Sequence, residues 1–396
     1  MKRIIGFLTI CALGLSAGFG QIADEYTYVK KITIDEALVD GAIEHLSFPV
    51  LINVTDEDLK STDAGGKVFN EEGWDIIFTE DDCETILDHQ IEYYKGELGE
   101  LTCWVKINSL SAVEGTIIHM FYGNESITES TESNNVWSSN YTGVYHFDDL
   151  LDTADYSSLG NHAENNEVLN DPIGKVLGSG SFDNINDYFR IGYDGMDGRN
   201  GTIAMWVKPA AFVPTEQYLF GHTSLPAYGD RIQLYTGDSE LPINSFNQGM
   251  GTSHFLTTDV YSVEVDVWMY MTCTWNSNAG TTSIYIDGVE VSTVDFSGLD
   301  DYAFADIGNN GFDHTEGFNG LIDEVQIASQ DRDADWILTA FNNQNSPEDF
   351  YAVSEEFLST DLCVVEDDDE PDTDGINEDL FSFIQNVYPN PAQNVL

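Results

Sequence analysis

Basic residues are scarce in this chain. Only 14 Lys and Arg stand against 70 Asp and Glu among 396 residues, a formal net charge of −56. No Lys/Arg cluster is available to neutralise phosphates, which excludes nucleic acid and anionic lipid as partners. Beyond the N-terminus there is no apolar run long enough to cross a bilayer, so no membrane span is expected. Cysteine is sparse, five in all, with no C-x-x-C, so neither a redox motif nor a zinc ribbon is supported. The chain also lacks G-x-S-x-G, H-E-x-x-H and a P-loop, and its eight His are scattered without metal-ligand spacing.

What is present points to β structure and export. Aromatic residues make up 12%, with 19 Tyr and 22 Phe, Gly is frequent at 34, and long amphipathic helical patterns are few. The length implies two or more domains. Residues 1–20 begin Met1-Lys2-Arg3, continue as an apolar run from Ile4 to Leu15, and carry small Gly18 and Gly20 before Gln21. This reads as a signal peptide, so the protein is expected to be secreted or at the cell surface. Cys11 follows Ile10 rather than a small residue, which argues against a lipoprotein anchor. Export permits disulfides among Cys83, Cys103, Cys273 and Cys363, with three pairings open; Cys83 and Cys103 are the pair closest in sequence. Cys273 alternates with Met271 and Trp275 and reads as a small buried apolar residue. The acidity itself suits solubility or calcium binding.

The expected fold class is all-β, two antiparallel β-sandwich (jelly-roll) domains in tandem. In residues 26–124 the alternating runs Tyr28–Ile34, Phe48–Val54, Trp74–Thr79, Ile91–Tyr94, Leu101–Ile107 and Thr116–Tyr122 read as strands. Residues 125–140 are polar and aperiodic and read as a linker. In residues 141–352, Ile203–Val207 alternates, Asp287-Gly288 is a favoured two-residue hairpin turn, and Asp333–Asn342 is a short helix with Trp336, Leu338 and Phe341 as its buried side. Residues 353–380 read as an acidic linker, and 381–396 as a terminal tag.

Several stretches resemble known families. D-I-I-F-T-E-D-D (75–82), I-E-Y-Y, L-T-C-W-V-K-I and I-I-H-M-F-Y-G-N (117–124) resemble an uncharacterised bacterial module, domain of unknown function 2341. V-Y-H-F-D-D (144–149), D-Y-S-S-L-G-N-H-A (155–163), G-S-F-D-N-I-N-D-Y-F-R-I (180–191), G-T-I-A-M-W-V-K-P (201–209), W-M-Y-M-T-C-T-W-N (268–276) and G-F-N-G-L-I-D-E-V-Q-I (317–327) resemble laminin-G-like, concanavalin A-type jelly rolls. N-V-Y-P-N-P-A-Q-N-V-L (386–396) resembles the start of the sorting domain of type IX secretion, which implies that export machinery as a partner.

The jelly-roll resemblance implies recognition of an extracellular polysaccharide or surface glycoprotein. The alternative is a structural or adhesive protein making protein–protein contacts. Glycosidases of that superfamily place paired carboxylates on one strand as E-x-D-x-E, absent from 141–352; Asp323 and Glu324 are adjacent and should face opposite ways. No catalytic residue is therefore assigned. The resemblance also implies calcium between the first loop and the closing strand, with Asp155, Asn161, Asp323 and Asp148 as candidate ligands; hard cations take such oxygens. E-P-D-T-D-G (370–375) fits a calcium loop only in part and reads better as spacer. Sugars stack on aromatic rings, and residues 217–261 are rich in them, so Tyr228 and Arg231 are the candidate ligand-binding residues.

Overall fold

The computed structural model describes residues 22–363, apart from 138–139, 149–152, 193–195, 223–230, 239–240, 251–253, 258–262, 299–304 and 312. The signal peptide, the E-P-D-T-D-G segment and the sorting-domain motif lie outside the described residues. The described residues up to Leu362 form one compact unit. Within it the chain is all-β, two antiparallel sandwiches.

The first sandwich pairs a sheet built on Tyr28–Ile34, Ile77–Glu80 and Thr116–Tyr122 with a three-stranded sheet of His45–Thr55, His89–Lys95 and Glu100–Leu110. Alternation holds only at the end of Tyr28–Ile34, where Ile32 and Ile34 are fully buried and Lys31 and Thr33 half-buried; Lys30 shares the buried face, its Nζ paired with Asp56, and Val29 is buried on the opposite face. Two short strands that local pattern does not announce complete the first sheet. Tyr351–Val353 and Phe357–Leu358 return from the far end of the chain to pair antiparallel with Tyr28–Ile34. The acidic linker expected from residue 353 therefore begins with ordered strand.

The second sandwich stacks an eight-stranded sheet, with Asn319–Ala328 and Asn200–Pro209 at its centre, on a seven-stranded sheet. Its core is inter-sheet packing by Phe189, Met205, Phe220, Phe246 and Trp275. The hairpin turn forms as read: Asp287 and Gly288 have φ of 51° and 79°, the left-handed pair such a turn needs.

The two sandwiches share apolar surface. Ala204, Trp206, Tyr270 and Tyr285, on the outer face of the eight-stranded sheet, belong to the same buried cluster as the first sandwich's core. The helix Ala334–Asn345 fills the seam. Asp333 caps it by accepting from Trp336 N, and Trp336, Ile337 and Ala340 are buried. Leu338 is only half-buried, and Phe341, also half-buried, packs on Trp206, so the buried side is rotated from the expected one.

The end of the segment read as a linker joins the packing, where Val136 and Trp137 are buried. Trp137 is 1% exposed and joins Leu51, Trp104 and Val144 in a separate seam cluster. Cys83 and Cys363 are disulfide-bonded, whereas Cys103 and Cys273 are free and buried. The Cys83–Cys103 pairing is thus ruled out: Cys103 points into the first sandwich's core. Cys273 is a buried apolar residue, as read.

Candidate functional site

The candidate calcium ligands organise loops. Asp155 is buried and accepts from Val144 N, Ser157 N, Ser157 Oγ and Asn161 N at 2.7–2.9 Å. These bonds fold the 155–161 loop against the strand Tyr141–Tyr145. Asn161 donates through Nδ2 to Thr142 O at 2.7 Å. Asp323 is fully buried and accepts from Lys175 N and Val176 N on one oxygen and Glu324 N on the other. Asp148 lies close enough to Glu324 for its charge to raise that carboxyl's pKa. Among the described residues, Asp148, Asp155 and Asp323 belong to no group of three or more His, Cys, Asp or Glu ligand atoms. Arg231 is half-buried and donates to Gln233 Oε1 at 3.1 Å, on the face that carries the stacked Tyr218 and Tyr235 rings. Tyr228 lies outside the described residues.

A different constellation stands at the seam. Glu92 from the first sandwich and His146 and Glu324 from the second bring one ligand-type atom each within 4.8 Å of one another. Both carboxylates sit at β-bulges. The register of His89–Lys95 slips between Ile91 and Tyr93, and two residues, Glu324 and Val325, oppose one in the 200–209 strand. Glu324 has φ of 48°, a strained value for a non-glycine. Bulges re-aim side chains, and here the strict alternation expected for Asp323 and Glu324 breaks at that point. His146 Nδ1 is 3.0 Å from Glu324 Oε1 and 3.5 Å from Glu92 Oε2. The Trp104, Trp137 and Tyr156 rings wall the imidazole at 6.0, 5.8 and 4.8 Å between centroids.

The spacing of these atoms suits a metal, but the surrounding hydrogen bonds do not. Trp137 Nε1, which can only donate, meets Gln90 Oε1 at 2.7 Å. This turns the Gln90 amide so that its Nε2 donates to His146 Nε2 at 3.1 Å. His146 Nε2 is therefore the acceptor nitrogen, and the ring proton sits on Nδ1, where it donates to Glu324. A metal-binding imidazole needs the reverse, a lone pair toward the ligand group and an N–H toward an acceptor behind it. The trio is a hydrogen-bonded proton site. Burial pushes the Glu92 and Glu324 carboxyls well above the usual range, each raised further by a neighbouring carboxylate. Trp104 Nε1 donates to Glu92 Oε2 at 2.7 Å, while Glu92 Oε1 is buried without a partner.

Sequence reasoning did not single out Glu92, His146 or Gln90. The available signal was a charged or imidazole side chain inside an apolar run, Glu92 after Ile91 and His146 between Tyr145 and Phe147.

Residues 182–338 match the family described as the concanavalin A-like lectin/glucanases superfamily, and residues 72–159 match a domain of unknown function, DUF2341. No curated protein matches the chain. Among solved structures, domain 4 of AbnA, a GH43 extracellular arabinanase from Geobacillus stearothermophilus in complex with arabinotriose, is 18% identical, with 51% of this chain and 98% of that chain covered and a TM-score of 0.43. The binding domain of Paraclostridial mosquitocidal protein 1 is 14% identical over 51% of this chain and 52% of that chain, TM-score 0.43. The botulinum neurotoxin serotype D ligand-binding domain, in complex with N-acetylneuraminic acid, is 15% identical over 52% and 51%, TM-score 0.41. Likeness at this level extends to about half of this chain and assigns no ligand to it.

Proposed function

We propose that this is an exported recognition protein whose concanavalin A-like sandwich binds an extracellular glycan, with the first sandwich fixed to it as part of one body. The observation that carries the reading is the match of residues 182–338 to a lectin and glucanase superfamily. Binding is favoured over hydrolysis because Glu324 and the side chain of Glu92 are at most 1% exposed. A retaining pair needs carboxyls about 5 Å apart on either side of a substrate bond, and indole and phenol rings fill the space here. Export by the leader at residues 1–20, type IX machinery reading the C-terminal motif, and a surface glycoprotein as natural ligand belong to the same proposal. Calcium is an optional element of it: the loop carboxylates already accept amide protons, so calcium would add to an ordered loop rather than create one.

The test is electrophoresis of the full chain through gels containing soluble polysaccharides, with calcium and with chelator. Retardation by at least one polysaccharide supports the reading, and loss with chelator would place calcium in it. Unretarded migration in every gel by a folded protein overturns it in favour of a structural or adhesive role.

A further inference from the structure

The inner faces of the second sandwich pack on each other. The outer face of its eight-stranded sheet is taken up by the first sandwich, through Ala204, Trp206, Tyr270 and Tyr285. The sheet face left for a ligand is the outer face of the seven-stranded sheet. There the strands Tyr188–Ile191 and Ala305–Ile307 pair antiparallel, with Arg190 opposite Asp306. Phe189, Ile191, Ala305 and Ile307 enter the core, so alternation turns Tyr188, Arg190 and Asp306 outward.

Asp306 is the anchor of this face, its side chain fully buried beneath its partners. It accepts from Arg190 Nε and Nη2 at 2.8 Å each, a two-pronged pair, and its Oδ2 lies 2.8 Å from His314 Nε2. Arg190 Nη2 is also 2.9 Å from that imidazole nitrogen. One nitrogen cannot accept from the guanidinium and donate to the carboxylate at once. Donation to Asp306 is favoured, because the alternative sets a lone pair against a carboxylate oxygen. The Nε2–H is thus committed to Asp306, and the neutral ring carries its lone pair on Nδ1. The ring is also fixed from the other sides. The His314 backbone N–H donates to Asn310 Oδ1 at 3.0 Å, and the imidazole stacks on Tyr188 with centroids 4.1 Å apart and planes 15° from parallel. Two polar atoms of this stack remain, His314 Nδ1 and the Tyr188 hydroxyl. Neither has a hydrogen-bond partner among the described residues, and both belong to half-buried side chains that reach solvent.

We propose that this stacked pair is a saccharide-reading site, in which His314 Nδ1 accepts from one hydroxyl of a neutral sugar and the Tyr188 hydroxyl bonds a second, while Arg190 and Asp306 hold the imidazole. The inference rests on the glycan-binding reading and gives it a place. A sugar hydroxyl both donates and accepts, so it can meet a fixed acceptor and a rotating phenol side by side. The exposed parts of the two rings offer apolar surface to sugar C–H groups. Groups already held in position lose little freedom on binding. Charge selects the sugar class. Arg190 is neutralised by Asp306 and has Glu164 opposite it on the neighbouring strand, on a chain of net charge −56. That balance selects against uronic or sulfated sugars.

The test is NMR titration of the full chain with D-glucose, D-galactose, D-mannose, N-acetylglucosamine and their β-linked disaccharides, with D-glucuronate as the acidic control. The readout is the imidazole nitrogen resonances, His314 being assigned by its absence from His314→Phe. A neutral sugar should move the His314 Nδ1 resonance. Tyr188→Phe keeps the ring and removes the hydroxyl, and should weaken binding of that sugar about fivefold, the loss of one neutral hydrogen bond. His314→Phe keeps the stack and removes the acceptor, with a similar loss; if it does not fold, Tyr188→Phe decides. A sugar that binds with the His314 resonance unmoved, and equally well to Tyr188→Phe, overturns the site while leaving glycan binding intact. Preference for glucuronate overturns the neutral-sugar assignment. No binding of any sugar overturns the site, and if polysaccharide gels also fail to retard the protein, the glycan reading falls with it.

Discussion

Glu92 and Glu324 set how the seam responds to pH. Each carboxyl has a folded pKa raised by burial. Such a group holds more protons folded than unfolded, so the stability it contributes is fully present at low pH. It is lost as pH rises from the ordinary carboxylate range through the elevated folded value. Glu92→Gln removes that loss. Melting temperatures measured from pH 4 to 9 should show the variant level with the parent near pH 4 and a few degrees above it at pH 8. A gap that instead widens toward acid pH would contradict the assignment. His146→Ala takes away the donor between two buried carboxyls and should cost about 3 kcal/mol in denaturant unfolding at pH 7. A loss under 1 kcal/mol would mean that the imidazole N–H is not donated to Glu324 as described.

Among the elements, the seam helix and the 155–161 loop are the informative ones. Asp333→Ala removes the cap on Trp336 N and should cost about 1 kcal/mol, read from urea midpoints. Asp155→Ala orphans three backbone amides at once and should cost about 3 kcal/mol or more. If the variant instead melted with the parent, solvent would have to reach those amides in the native fold.

These elements also show what sequence carries. The strands Tyr28–Ile34 and Thr116–Tyr122 were legible to the residue because they are short runs rich in β-branched and aromatic residues, although neither alternates strictly in burial. The helix was legible within a few residues at its C-terminal end, since Asp333 is a capping residue. The strands Tyr351–Val353 and Phe357–Leu358 were not, because they are two or three residues long and are defined by a partner at the other end of the chain. Trp137 looked like part of a polar linker because only the tertiary fold surrounds it with Leu51 and Trp104. The proton site was invisible for the same reason: His146 and Glu324 are 178 positions apart, and no local pattern records their meeting.

For the whole molecule, the shared apolar seam makes the two sandwiches one body. A fragment spanning residues 141–352 would expose Trp206, Tyr270 and Tyr285, now at most 5% accessible. It should bind a hydrophobic dye and aggregate at concentrations where the full chain stays monomeric. A well-behaved fragment would show that the first sandwich is dispensable for folding. A ligand that binds only the folded protein raises its stability by mass action. The most direct test of the account is therefore calorimetric melting of the full chain with and without a neutral oligosaccharide that retards it in gels. The account predicts a single transition for the two sandwiches that moves upward with sugar concentration. Two separate transitions, or one that no sugar moves, would contradict it.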